Sequence, residues 1–315
     1  MSVTVKERRQ RVIHVWPLQQ AADATDTTAA TARRQATPTD GAPPPPLEHL
    51  MTSDPRMTVP KFLRLKQQRK KIAMVTAYDF PHAKLADAAG VDGILVGDSL
   101  AMVVQGHENT LAARLDQIIY HAEMVARAAK QALVVADLPF PINQCEPSRV
   151  IDEAGRVLKE TRCQAVKLEG GAKQAPLIEA LVTAGIPVMA HVGLRPQTVH
   201  MMGGYRVQRD EDQLLTDARA AQDHGAFSIV IECVPTEVAT SISRQLMIPT
   251  IGIGAGPGCD GQVLVLHDLI GMTSGYTPSF VKQFADVGNA IQQAIRDYCE
   301  EVREGAFPAD EHGFS

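Results

Sequence analysis

Aromatic residues are scarce: Trp, Tyr and Phe together make up 4% of the 315 positions, so aliphatic side chains must build any core. No run of about 18 uncharged apolar residues occurs, which excludes a transmembrane helix. The five cysteines are odd in number and never spaced Cys-x-x-Cys, so neither a disulfide framework nor a structural zinc site is expected. Reduced thiols in a reducing compartment fit better. Neither a Gly-x-Gly-x-x-Gly fingerprint nor a P-loop is present, which removes the commonest nucleotide-binding signatures. Excess positive charge is also missing. The formal net charge is −5, which argues against nucleic acid as a partner.

What is present divides into three stretches. Residues 1–56 are rich in Ala, Thr, Gln and Pro and include Pro43-Pro44-Pro45-Pro46. Such a segment cannot bury enough apolar surface to offset its ordering entropy, so a disordered or mis-assigned upstream extension is expected there. Its arginines and threonines give it a faint likeness to a mitochondrial transit peptide, weakened by five acids up to Glu48. The expected compartment is the cytoplasm, with the mitochondrion as the alternative. Residues 61–71 carry six Lys/Arg and no acid, and read as a solvated first helix. Residues 72–315 are net acidic, as suits an enzyme body that holds a divalent cation.

From residue 57 onward one catalytic domain is expected. Short β-branched runs recur at Ile72–Ala77, Gly93–Val96, Leu133–Ala136, Ala165–Leu168, Pro187–Ala190, Ser228–Ile231, Pro249–Ile253 and Gln262–Leu266. They are continuous rather than alternating, as expected of strands buried on both faces. Amphipathic stretches such as Leu115–Ala129 and Asp212–His224 lie between them. Eight strands alternating with helices predict an α/β fold, a (βα)8 TIM barrel, with a doubly wound open sheet as the alternative. One or two terminal helices are expected over Pro278–Glu304.

Polar residues follow the runs in a consistent place. They include Asp98 and Ser99, Asp137, Lys167 with Glu169, His191, Glu232, and His267 with Asp268. One acid after a strand can be a helix cap. Five carboxylates, two imidazoles and a lysine at corresponding ends point instead to a shared site at the carboxyl face of a barrel. Asp98, Asp137 and Glu169 follow neighbouring strands and offer hard oxygen donors, a set suited to Mg²⁺; neutralisation by Lys167 is the other reading. Glu232 comes from across the barrel and can serve as a general base or as a buried partner of a basic group. The glycines of Ile251–Gly256 admit a phosphate cradle.

These residues lie in motifs that resemble one family. The matching segments include Thr76-Ala77-Tyr78-Asp79, Leu95–Leu100, Val104–His107, Ala136–Phe140, Val166–Gly171, His191–Leu194, Gly203-Gly204-Tyr205, Glu232–Pro235 and Asp260-Gly261-Gln262. From about Lys61 the chain resembles the ketopantoate (3-methyl-2-oxobutanoate) hydroxymethyltransferase family. The resemblance implies a (βα)8 barrel, a homodecamer and one Mg²⁺ per subunit. It implies transfer of a one-carbon unit from 5,10-methylenetetrahydrofolate to 3-methyl-2-oxobutanoate through a Mg²⁺-stabilised enolate, giving 2-dehydropantoate for pantothenate and coenzyme A. It assigns the metal to Asp98, Asp137 and Glu169, the oxo acid to Asp98, Ser99, Asp137, Lys167 and His191, and the proton to Glu232. The chain departs from the family pattern at Ala112, at Pro141–Cys145 and at Arg209–Asp212, which bears on substrate-loop detail. Two rivals are a Mg²⁺-dependent lyase or mutase on another 2-oxo acid and a catalytically silent paralogue. The first lacks its Lys-Cys-Gly-His loop here, and the second would have lost a key carboxylate.

Overall fold

In the computed structural model, residues 56–273, 275 and 277–314 are described. The extension expected over residues 1–56 lies, apart from Arg56, outside the described residues.

Thr58 opens the first helix, α1 (Val59–Gln67), by accepting a hydrogen bond from Lys61 N, with Pro60 in its first turn. Only Phe62 of α1 is buried; its ring meets Phe227 edge-on at 5.8 Å. The basic run is therefore a solvated helix, as expected, with one apolar anchor.

The chain then alternates. β1 (Ile72–Thr76) leads to α2 (Phe80–Ala88), and β2 (Gly93–Val96) leads to α3 (Leu100–Val103) and α4 (Leu115–Ala128). β3 (Leu133–Asp137) is followed by α5 (Pro147–Glu160), and β4 (Ala165–Glu169) by α6 (Ala175–Thr183). β5 (Val188–Gly193) precedes α7 (Val199–Met202) and α8 (Glu211–Asp223); β6 (Ser228–Glu232) precedes α9 (Thr236–Gln245). β7 (Thr250–Ile253) passes to β8 (Gly261–Leu264) with no helix between them; α10 (Leu266–Leu269) and α11 (Val287–Glu304) complete the order.

All eight strands are parallel, and β8 pairs with β1 to close the barrel. The open-sheet alternative is thereby excluded. Inside, Met74, Leu95, Val135, Ala165, Met189, Val230, Ile251 and Val263 pack with Phe62 and Phe227 into one apolar plug. Outside, Ile94, Val134, Val166, Val188, Ile229 and the helix faces form a second, larger layer. Burial of both faces is what made the runs read as continuous.

Four expectations need correction. Alternation with helices fails between β7 and β8, where residues 254–260 form a tight link. Its glycines serve packing: a Cβ on Gly256, whose φ is +74°, would lie 2.3 Å from Thr236 Oγ1. The last strand ends at Leu264, so His267 and Asp268 sit in α10 and do not follow the strand directly. Burial on both faces also fails at β1 and β8, where Ala73 and its register partner Gln262 are exposed. The C-terminal stretch forms one helix, beginning only at Val287.

Candidate active site

Asp137, Glu169 and Glu232 are the final residues of their strands, and His191 lies inside β5. Sequence reading put them one step later. The difference matters because strand side chains alternate between faces. Val135, Ala165, Met189 and Val230 belong to the interior plug. Two residues further on, Asp137, Lys167, His191 and Glu232 therefore also point inward, and Glu169 follows Lys167 by the same step. One face is apolar for most of its length and ionisable at its carboxyl end.

Register does the rest. Asp137 lies opposite Lys167, and Glu169 opposite His191. Lys167 Nζ donates to Asp137 Oδ1 at 2.6 Å. Asp137 Oδ2 accepts from the Asp98 N–H at 3.0 Å, which ties the loop after β2 to β3. His191 stands between two carboxylates, with Nδ1 3.5 Å from Glu169 Oε1 and Nε2 3.2 Å from Glu232 Oε2. Neither contact has hydrogen-bond alignment, so the attraction there is one of charge. The close approach of β5 to β6 depends on Gly193, whose φ is +95° and whose missing Cβ would lie 2.2 Å from the Glu232 carbonyl oxygen. Cys233, next to Glu232, holds a left-handed φ of +49°, a conformation L residues avoid.

Sequence reading gave no role to Gln197. Its Nε2 donates to Asp98 Oδ2 at 3.0 Å and to the Leu138 carbonyl at 3.1 Å, and its backbone N–H donates to Glu169 Oε2 at 3.1 Å. Tyr78 OH meets Ser99 Oγ at 2.7 Å, and Asn143 Nδ2 donates to the Glu169 carbonyl at 2.9 Å. An uncharged amide in a short turn after β5 gives no compositional signal. Only proximity reveals it.

Burial sets the protonation states. It drives the Asp98 carboxyl well above the ordinary range, and the Asp137 and Glu169 charges add to that. Burial disfavours charge on Lys167, but Asp137, Glu169 and Asp98 outweigh it and raise its affinity for the proton. Burial and Lys167 oppose a charge on His191, yet Glu169 and Glu232 prevail and raise it to about 9. Burial likewise works against Glu169, but His191, Lys167 and the Gln197 N–H hold its carboxyl below the usual range. The result is a buried array rich in carboxylates, with Lys167 and His191 as its cations and Asp98 the carboxyl whose ionisation burial and like charge oppose.

The array floors a cavity of about 610 Å³ at the carboxyl end of the strands. Asp98, Ser99, Asp137, Lys167, Glu169, His191 and Glu232 all line it, so every residue singled out for the site is in one place. His267 lines it too, but on the far side, where its ring lies 5.6 Å from that of Tyr78. Tyr205, from the Gly203-Gly204-Tyr205 segment, also lines it, half exposed. The departing segments 141–145 and 209–212 do not line it. Asn143 supports Glu169 from behind, and Asp210 caps α8 by accepting from Gln213 N at 3.0 Å. Glu211 and Asp212 then sit in the first turn of α8, where acids suit the helix dipole.

Among the described residues, no three acidic, histidine or cysteine side chains already converge to metal-ligating distance. The donors are nonetheless chemically suited to a hard divalent cation. Asp98, Asp137 and Glu169 are all oxygen donors with surplus negative charge, and the Gln197 Oε1 beside them is buried without a hydrogen-bond partner.

Residues 56–310 match the family model described as ketopantoate hydroxymethyltransferase. A 3-methyl-2-oxobutanoate hydroxymethyltransferase of Rhodopirellula baltica is 57% identical over 259 residues, covering 82% of this chain and 96% of that protein. The protein of the same name from Enterococcus faecalis is 50% identical over 261 residues, covering 82% of this chain and 95% of its own. Among solved structures, 2,3-dimethylmalate lyase, a member of the PEP mutase/isocitrate lyase superfamily, superposes with a TM-score of 0.54 at 18% identity, covering 81% of this chain and 91% of the other. Phosphonopyruvate hydrolase, solved with oxalate and Mg²⁺, gives 0.55 at 14% identity, covering 82% and 92%. These two similarities concern the fold alone.

Proposed function

The chain belongs to the ketopantoate hydroxymethyltransferase family, and we propose that the buried array at the carboxyl end of its barrel carries the family's reaction. It transfers a hydroxymethyl group to 3-methyl-2-oxobutanoate, giving 2-dehydropantoate, in pantothenate biosynthesis. The one-carbon donor in this reading is 5,10-methylenetetrahydrofolate.

The observation that carries the assignment of roles is the setting of Glu232. Its side chain is 17% exposed to the cavity, while those of Asp137, Lys167, Glu169 and His191 are 5% exposed or less. Glu232 is therefore the carboxylate free to meet substrate, with His191 Nε2 3.2 Å from its Oε2. It takes the C3 proton of the oxo acid as general base. His191 also presents a positive charge to the oxygen on which negative charge develops. Lys167, Ser99 and the Asp98 backbone hold the oxo acid, and Asp137 orients Lys167. Carbon C3 then bonds to the one-carbon unit, tetrahydrofolate leaves, and water supplies the hydroxyl oxygen. The cavity is much larger than a five-carbon oxo acid, which leaves room for the second reactant.

Asp98, Asp137 and Glu169 would hold Mg²⁺. Bound there, it would supply Lewis-acid stabilisation to the oxygens of a 2-oxo acid. A cation in that position would offset the burial and like charge that oppose ionisation of Asp98. By the same family reading the chain acts as a homodecamer whose catalytic unit spans residues 57–315. Five unpaired cysteines are consistent with a cytoplasmic protein.

The test is proton NMR of 3-methyl-2-oxobutanoate in D₂O with the enzyme, with and without Mg²⁺, followed by methylenetetrahydrofolate. The expected result is Mg²⁺-dependent loss of the C3 proton signal and then formation of 2-dehydropantoate. Absence of exchange in folded, Mg²⁺-supplied enzyme overturns the roles given to the array.

A further inference from the structure

The cavity has two unlike halves. β8 stands opposite β4 in the closed ring, so the residues after β8 lie across the barrel mouth from Lys167 and Glu169. Val265, His267, Met272, Pro278 and Phe280 line that side. Its carboxylate, Asp268, is already engaged, accepting from Thr273 Oγ1. Phe280 is 39% exposed yet held in place. Its ring rests against the backbone that follows β7, where Gly254 has a φ of +62° and a Cβ would lie 2.9 Å from the ring.

His267 is the polar group of this half that the reaction above leaves unused. Its ring packs 5.6 Å from that of Tyr78 and 5.7 Å from that of His82. The polar atoms of both neighbours are directed elsewhere. Tyr78 OH meets Ser99 Oγ at 2.7 Å, and His82 Nδ1 meets Asp79 Oδ2 at 2.7 Å. His267 Nδ1 is buried without a hydrogen-bond partner, whereas Nε2 is not enclosed in this way. An orphaned buried N–H is a rarer state than an unsatisfied acceptor, so the ring proton belongs on Nε2, at the cavity. Burial holds the imidazole below its ordinary 6.5 and His82 adds to this, against Asp79 and Asp268. At neutral pH the ring is therefore an uncharged donor. With no partner at Nδ1 to relay a proton, it is suited to binding rather than to acid–base work.

We propose that this half of the cavity seats the heterocycle of the one-carbon donor, with Phe280 against the face of its pyrimidinone ring and His267 Nε2 donating to one of its acceptor atoms. An apolar wall, a fixed aromatic side chain and a single uncharged donor suit a flat ring that carries acceptors along its edge. The array side is left to the small oxo acid, whose groups are charged. Each reactant thus meets the half of the cavity that matches its chemistry, and the two meet between them, beside Glu232. His267 is in this view a binding residue that selects the donor and takes no part in proton removal from C3. The inference rests on the reading of the donor as 5,10-methylenetetrahydrofolate.

The test compares wild type, His267→Phe, His267→Gln and Phe280→Ala in the full chain. Three quantities are read: calorimetric binding of tetrahydrofolate, KM for methylenetetrahydrofolate, and C3 proton exchange of the oxo acid with Mg²⁺ and no folate. His267→Phe keeps a ring against Tyr78 and His82 and removes the donor, whereas Gln returns an N–H close to the place of Nε2. Folate affinity and KM are expected to worsen about two- to tenfold in His267→Phe and in Phe280→Ala. Both should recover in His267→Gln, with exchange at the wild-type rate throughout. Unchanged folate affinity in His267→Phe, or no recovery in His267→Gln, overturns the donor role. Unchanged affinity in Phe280→Ala overturns the seating of the ring. A parallel loss of exchange in His267→Phe means that His267 acts on the array through Tyr78 and Ser99, and overturns the subsite. Wild-type enzyme that exchanges C3 but does not use or bind folate overturns this inference and the donor, and leaves the role of Glu232 standing.

Discussion

The β3–β6 wall of the barrel and the β7–β8–β1 wall are built from similar β-branched strands and treated in opposite ways. The first carries Asp137, Lys167, Glu169, His191 and Glu232 at its carboxyl end, and helices sheath its outside. The second carries no ionisable side chain within its strands, and part of its outside is bare. A buried ionisable array needs positions held to a fraction of an ångström, because desolvated charges are costly unless well paired. Full packing behind β3–β6 supplies that rigidity. The other wall has no such demand.

The comparison is broken most severely by Glu232→Gln. It removes the general base and leaves the array in place, so C3 proton exchange should fall about 10²–10⁴-fold. Binding of the oxo acid, followed by calorimetry, should persist. Retained exchange would move the base elsewhere. Next in size is Lys167→Met, which leaves Asp137 buried without its cation. A loss of about 3–5 kcal/mol in folding stability is expected, read by urea denaturation.

Gln197→Ala sharpens the comparison within the first wall. It deletes two side-chain hydrogen bonds, one to Asp98, while the backbone bond to Glu169 survives. A cost of about 1–3 kcal/mol follows for the buried groups left unsatisfied, with a rise in KM for the oxo acid. At the opposite end of the barrel Asp87 accepts from the N–H groups of Lys130, Gln131 and Ala132 at 2.9, 2.9 and 2.8 Å. Burial opposes its charge, but those three donors hold its carboxyl below the ordinary 3.8. Asp87→Ala should cost about 2–3 kcal/mol at neutral pH. That difference from wild type should be full above pH 3.8 and shrink as pH falls through the lower folded value. The smallest effect expected is from deleting residues 1–55, which should leave kcat/KM unchanged. A large loss would bring that segment into the working enzyme.

Much of this was legible in the residues. The eight runs located the strands to within a few positions, because strands buried on both faces need uninterrupted aliphatics. Polar residues at their ends located the site, because side chains near the carboxyl ends of parallel strands converge. Gln197 was missed because an amide declares nothing about what it will touch. The bare flank was missed because Ala73 and Gln262 look no different in sequence from covered strand residues. His191 was seen as a candidate, but its place between Glu169 and Glu232 was not.

The sequence by itself determined which segments become strands, which end of them is polar, and through its motifs which family they belong to. Those properties are local, written in side-chain pattern and in the order of short segments. Only the tertiary structure decided closure of β8 on β1, the pairing of Glu169 with His191, and the isolation of α11. Each depends on register between segments distant in the chain, and a shift of one residue would turn the ionisable face of a strand outward.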